Sequence, residues 1–150
     1  MSSKASFMIE AFEQAQLAAK RGEVPVGAII VCNGEIIAAD GNRTLELKDP
    51  TAHAEMLVLR AAARQKGSER INDCDLYVTL EPCTMCAAAI SFARIRRLYY
   101  GATDLKSGGV ENGARFFTQT TCHHSPEIYS GLMETECKGL LKAFFKQKRD

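Results

Sequence analysis

His53, Glu55, Cys83 and Cys86 are the side chains of this sequence best suited to chemistry. Two thiolates and an imidazole match zinc, a borderline-soft ion, and Glu55 is then left over as a carboxylate that the ion does not need. Structural zinc is usually closed by four protein ligands. Three ligands, with a fourth position for water and a proton-moving group nearby, make the inventory of a hydrolytic centre. Zinc lowers the pKa of such a water from about 15.7 toward roughly 7. Hydrolysis at such a centre also requires taking a proton from the water and delivering a proton to the leaving group. Glu55 is the candidate for both transfers. Read singly, the signals admit other meanings: Cys-x-x-Cys serves as a redox pair or as half of a zinc ribbon, although a second such pair is absent. A lone His-x-Glu is an ordinary surface or core pattern. The combination, with Pro82 directly before Cys83, is specific.

These spacings set conditions on the elements that carry them. Cys83 and Cys86 share one face if Pro82 opens a helix, whose positive end would acidify both thiols below about 8.5. His53 and Glu55 would diverge in a helix interior, so they are expected in a first turn, with Thr51 as N-cap before the apolar-rich run from Met56 to Ala63. Upstream, Met8, Ala11, Phe12, Ala15 and Ala19 fall on one face of a helix expected to end near Gly22. Val24 to Cys32 is almost continuously apolar, as in a strand covered on both faces, and Asn33-Gly34 is expected to turn it back into Glu35 to Ala39. Strand Leu76 to Leu80, the cysteine helix, strand Arg97 to Gly101 and a basic C-terminal helix follow. The order predicts a single domain over 1–150, an α/β fold of three layers, α/β/α, with a mixed central sheet. Glu81-Pro82 would then put the cysteine helix at the sheet's carboxyl edge, where His53 must also arrive. Ala87, Ala88 and Ala89 leave little bulk on that helix, which suits either close helix packing or simple helix propensity.

Five segments run in a familiar order: Val24-Pro25-Val26-Gly27-Ala28, Gly41-Asn42-Arg43, Asp49-Pro50-Thr51-Ala52-His53-Ala54-Glu55, Tyr77-Val78-Thr79-Leu80-Glu81-Pro82-Cys83 and Tyr100-Gly101-Ala102-Thr103-Asp104. In these the chain resembles the cytidine and deoxycytidylate deaminase superfamily, and more closely the bacterial tRNA-specific adenosine deaminases, from about Ala11 to Phe144-Phe145. The resemblance implies a cytidine-deaminase-like fold and one zinc per subunit on His53, Cys83 and Cys86, with Glu55 as proton shuttle. It also implies hydrolysis of a cyclic amidine C–N bond, converting the wobble adenosine of a tRNA anticodon to inosine. Members are homodimers whose RNA site draws on both subunits. The substrate contacts come from the resemblance alone: Asn42 to the flipped base, the backbone at Ala54 beside the reacting ring, and Val26 in the pocket wall. Without it, an Asn after Gly41 at a strand end reads as a turn. Two departures stand out. The segment 107–113 is longer and richer in glycine than the Lys-Thr-Gly of many members, and His123-His124 occupies the place of an Asn-His.

A net charge of +1 does not argue for RNA. Charge is uneven, however: Lys138, Lys142, Lys146, Lys148 and Arg149 make the last helix basic, and Arg94, Arg96 and Arg97 form a second cluster. Each suits either phosphate binding or a solvated face. The resemblance favours the first, with His123, Phe145, Lys146 and Arg149 as RNA-contacting residues. Guanine, cytosine or nucleotide deamination would use the same zinc constellation, and a zinc-containing RNA-binding module without chemistry is the alternative of another class. With 150 residues, 46% of them hydrophobic, the chain has material for one real core. No apolar run approaches the roughly 20 residues that span a bilayer, and Glu10 and Glu13 stand where a signal peptide would be apolar. A cytoplasmic protein without a membrane partner is expected, in which Cys32, Cys74, Cys122 and Cys137 are free thiols. Cys122-His123-His124 is not expected to form a second metal site, because no further ligands accompany it.

Overall fold

The N-terminal helix α1 (Lys4–Lys20) begins at a capping serine, the Ser3 hydroxyl accepting from the Ser6 amide at 3.2 Å, and stops at Gly22, which takes a left-handed φ of 84°. The computed structural model describes residues 3–149, so Met1, Ser2 and Asp150 of the expected 1–150 domain lie outside the described residues. Strand β1 (Gly27–Cys32) starts later than its apolar pattern suggests; Pro25 has no amide to give a ladder. Asn33 and Gly34, at φ 52° and 78°, form the expected tight turn into β2 (Glu35–Gly41).

Helix α2 (Ala54–Lys66) is capped by His53 and not by Thr51. The Thr51 hydroxyl is spent on Asp49 at 2.7 Å, holding the turn that leads in. After β3 (Cys74–Leu80) comes α3 (Thr84–Ala93), whose N-cap is Cys83; Pro82 precedes the cap and is not the first helical residue. Then follow β4 (Arg97–Ala102), a short 3₁₀ turn (Phe116–Thr118), β5 (Glu127–Ser130) and α4 (Glu134–Arg149).

The sheet runs β2-β1-β3-β4-β5, antiparallel across β2, β1 and β3 and parallel across β3, β4 and β5. Strand alternation sorts the core into two faces. Ala28, Ile30, Leu76, Val78, Leu98 and Tyr100 pack beneath α2 and α3, while Ile29, Val31, Tyr77 and Tyr99 pack against Phe7, Met8 and Ala11 of α1. Helix α4 joins α1 on that second face, with Cys137 against Gly101. The result is the mixed-sheet, three-layer α/β/α fold that the alternation implied. Because β1 is antiparallel to β3, the start of β1 and the end of β2 lie at the same edge as the carboxyl end of β3. Val26, Asn42, His53 and Cys83 therefore converge there from four separated segments.

A further expectation is overturned. Cys32 and Cys74 are not free thiols but are joined as a disulfide, since the antiparallel register of β1 and β3 sets them directly opposite with Cα atoms 4.5 Å apart. The bond lies at the end of β1 remote from Val26. Cys83, Cys86, Cys122 and Cys137 remain free.

Candidate active site

The N-terminal ends of α2 and α3 lie side by side at the carboxyl edge of the sheet. His53 Nδ1 lies 3.7 Å from Cys83 Sγ and 3.5 Å from Cys86 Sγ. Sulfur and nitrogen bound to one tetrahedral zinc are separated by about 3.6 Å when the bonds are about 2.3 and 2.1 Å long. Both sulfur–nitrogen edges are thus already at the spacing of a zinc tetrahedron. Among the described residues the cluster comprises these three donors, all within 4.8 Å of one another, and Glu55 is not a member. The other grouping, Cys32, Asp73 and Cys74, has its sulfurs bonded to each other, which leaves no thiolate for an ion.

The electrostatics match the donor chemistry. A hydrogen bond from the Cys86 thiol, with His53 alongside, holds Cys83 down at about 4, far below an ordinary thiol. Hydrogen bonding to Cys83 in turn raises His53. Cys86, the donor to Cys83 and fully buried, is driven upward. Glu55, with 4% of its surface exposed, is pushed up to about 7, chiefly by burial. That value suits a group that must both accept and release a proton near neutrality.

These residues open on a cavity of about 230 Å³ whose walls include Val26, Asn42, Thr44, Glu55, Asp104 and Ser107. Asn42, nearly buried, accepts from the Ala54 amide through Oδ1 at 2.8 Å, which caps α2 in place of a local side chain. The same bond orients the Asn42 Nδ2 donor and occupies the Ala54 amide; Ala54 is not among the residues that line this cavity. Val24, Leu80, Asp104 and Ser107 also border a second cavity, of about 740 Å³, which extends to Lys138, Phe145 and Arg149 on α4. Phe145 is 44% exposed there. Lys146 lines a shallower groove beside it. His123 is exposed and lines neither cavity, while His124 Nε2 donates to the Ile95 carbonyl at 2.7 Å.

Two of the three guanidinium groups in the Arg94, Arg96 and Arg97 cluster are already paired with carboxylates. Arg96 makes a two-pronged pair with Asp75 at 2.9 Å, and Arg97 lies 3.5 Å from Glu127. Sequence reasoning missed Val24, Thr44, Leu80, Glu81, Asp104 and Ser107 in the wall; a Glu before Pro82-Cys83 was visible, but its burial was not. Glu81 is 2% exposed, and although burial opposes it, hydrogen bonds from the Asp104 amide, the Asn112 side chain and amide, and the Val110 amide hold its carboxyl below the usual range.

Comparison with known proteins agrees with this geometry. Residues 1–102 match the family model described as the cytidine and deoxycytidylate deaminase zinc-binding region. The chain is 59% identical over 149 residues to a tRNA-specific adenosine deaminase of Agrobacterium fabrum, covering 99% of this chain and 98% of the relative. It is 42% identical over 143 residues to one of Bacillus subtilis, covering 95% and 89%. A solved structure from studies of A-to-I editing by tRNA:A34 deaminases at the wobble position superposes with a TM-score of 0.91 at 60% identity, covering 92% of this chain and all of that one. A guanine deaminase from Nitrosomonas europaea shares the fold at a TM-score of 0.82 with 19% identity. The chain belongs to the zinc-binding cytidine and deoxycytidylate deaminase family and, within it, to the bacterial tRNA-specific adenosine deaminases.

Proposed function

We propose that this protein is the zinc-dependent hydrolase that converts the wobble adenosine of a tRNA anticodon to inosine, acting as one domain over 1–150. The observation that carries the reading is the His53, Cys83 and Cys86 donor set at zinc spacing, with buried Glu55 beside it at the floor of a cavity. When bound to those three residues, one zinc supplies the Lewis acidity that makes a water nucleophilic near neutral pH. Glu55 takes the proton from that water and returns protons to the ring nitrogen and to the departing ammonia. Asn42 Nδ2 donates to an acceptor on the flipped base, Val26 packs against its face, and the Ala54 amide fixes Asn42 by holding its oxygen.

The cavity of about 230 Å³ suits one extruded base, and the larger cavity beside it suits the flanking nucleotides. Phe145 offers a stacking face and Lys146 and Arg149 offer phosphate partners. His123, away from both cavities, would meet a more distant part of the RNA. No helix among the described residues is long and apolar enough to cross a membrane, and a tRNA substrate fits a cytoplasmic enzyme. Incubating the purified protein with total tRNA and mapping inosine tests the reading directly. Inosine is expected at the wobble position, and its absence in the presence of zinc, with ammonia released from guanine instead, would overturn it. With Lys146 and Arg149 on two phosphates, apparent affinity for tRNA should fall roughly tenfold between about 50 and 200 mM salt.

A homodimer is part of the same proposal. Phe92 on α3 is 73% exposed at the mouth of a cavity of about 470 Å³ between α2 and α3, lined also by Met56, Leu59 and Ala89. An apolar patch of this kind favours a second copy of the chain. Phe92→Glu should sediment as a monomer where the native chain sediments as a dimer. A native chain that sediments as a monomer at micromolar concentration would rule the dimer out.

A further inference from the structure

The glycine-rich segment 107–113 and the buried carboxylate of Glu81 form one device. Glu81 follows the last residue of β3 and is separated from Cys83 only by Pro82. Its Oε1 accepts from the Asp104 amide at 2.9 Å and from Asn112 Nδ2 at 2.7 Å. Its Oε2 accepts from three successive amides, Val110, Glu111 and Asn112, each at 3.0 Å. Five neutral donors from one loop surround a single carboxylate, the arrangement of an anion nest turned onto a side chain of the same protein.

The loop so gathered touches the metal-ligand segment directly. The Gly109 amide donates to the Pro82 carbonyl at 2.8 Å. A Cβ on Gly109 would stand 2.5 Å from the Thr84 amide nitrogen and 2.8 Å from the Cys83 carbonyl carbon, so only glycine lets the loop lie against the first turn of α3. Gly108 is as close to Glu81 itself, its absent Cβ lying 2.5 Å from Oε2. A hydrogen bond from the Tyr100 hydroxyl to Glu111 secures the far side of the loop to β4. The loop's near side supplies Asp104 and Ser107 to the cavity wall.

We propose that Glu81 is a positioning residue: it draws the 104–112 loop under the N-terminal turn of α3 and so fixes both the backbone of Cys83 and the cavity wall at Asp104 and Ser107. The glycine richness of 107–113 is the condition for that close approach. The inference rests on Cys83 being a zinc ligand. It goes further in assigning the ligand's orientation to the loop that also supplies Asp104 and Ser107 to the cavity wall.

Glu81→Gln tests it in the full chain. The isostere brings an NH₂ group that must face either two or three of the five donors, so the nest opens while the volume is kept. Four readouts are expected to move together. Hydrogen exchange at the Asp104, Val110, Glu111 and Asn112 amides of the metal-free protein should accelerate at least about tenfold more than exchange in β1 and β3. Zinc should pass to a chromophoric chelator with an affinity about 10–100-fold weaker, as for other outer-shell ligand supports. In the cobalt-substituted protein the thiolate-to-metal absorption should shift, and kcat on tRNA should fall while KM changes little. Gly109→Ala, which leaves Glu81 intact, should reproduce the spectral shift, and it carries the test if Glu81→Gln does not fold. A Glu81→Gln protein that melts lower but keeps the native cobalt spectrum and chelator affinity overturns the proposal, leaving Glu81 as ordinary loop support. If the native chain binds no zinc, the ligand assignment fails instead, and the exchange measurement still reports on the nest by itself.

Discussion

Glu55→Gln is expected to lower kcat on tRNA by roughly 10⁴-fold, the upper end of what general acid–base catalysis supplies, because one carboxylate serves both the attack and the departure. Zinc content should remain at the native level, since Glu55 stands outside the donor set. The same substitution should also stabilise the metal-free protein. Burial raises the Glu55 carboxyl from an ordinary 4.5 to about 7, so the folded chain holds its proton more tightly than the unfolded chain does. Stability therefore declines as pH rises through this interval, and above it the folded state carries a desolvated charge costing about 3 kcal/mol, at about 1.4 kcal/mol per pH unit. Below the unfolded value both states are protonated and the penalty vanishes. Metal-free Glu55→Gln should consequently melt higher than metal-free native protein near pH 8 and equally near pH 4. Equal melting at both pH values would mean that Glu55 is not held in a desolvated site. An inactive variant that is more stable than its parent is the signature of a group kept for chemistry at the expense of the fold.

The chemistry of the site was legible in the sequence because its key signals are local. Cys83 and Cys86 sit one turn apart, and His53 and Glu55 are separated by one residue at a helix start, so neither pair needed a fold to be noticed. The Asn33-Gly34 hairpin and the apolar β1 were legible for the same reason. What escaped notice depends on contacts between distant segments. The His53 cap replaced Thr51 because Asn42, twelve residues earlier, satisfies the Ala54 amide, and a scan for local capping residues cannot find such a partner. Strand β5 has four exposed residues and no apolar alternation; only its parallel register with β4 defines it. Cys32 and Cys74 are 42 residues apart, and their pairing follows from the register of β1 against β3. The segment 107–113 shows in the sequence only as a longer, glycine-rich departure from the family pattern, because its role depends on the distant Glu81 being buried inside it.

Removal of one thiolate should have the broadest consequence of any single substitution. Cys86 is fully buried in the first turn of α3, and Cys86→Ala leaves Cys83 and His53 to hold the ion with two bonds. Zinc should be lost on dialysis and deamination should fall below detection, since neither the nucleophile nor the charge that Glu55 works against would be present. Stability supplies an independent readout. A ligand that binds only the native state stabilises it by mass action, by about 4 kcal/mol at a thousandfold excess over Kd. For a chain of this size that corresponds to a rise in Tm of roughly 8–16 °C. Native protein titrated with zinc should show this rise, and Cys86→Ala should show little of it. Glu55→Gln should retain it in full, which separates loss of the metal from loss of the proton carrier. Were Cys86→Ala to keep both zinc and the thermal shift, the ion would have to sit elsewhere, and with the sulfurs of Cys32 and Cys74 bonded to each other the described residues offer no second cluster with free thiolates to receive it.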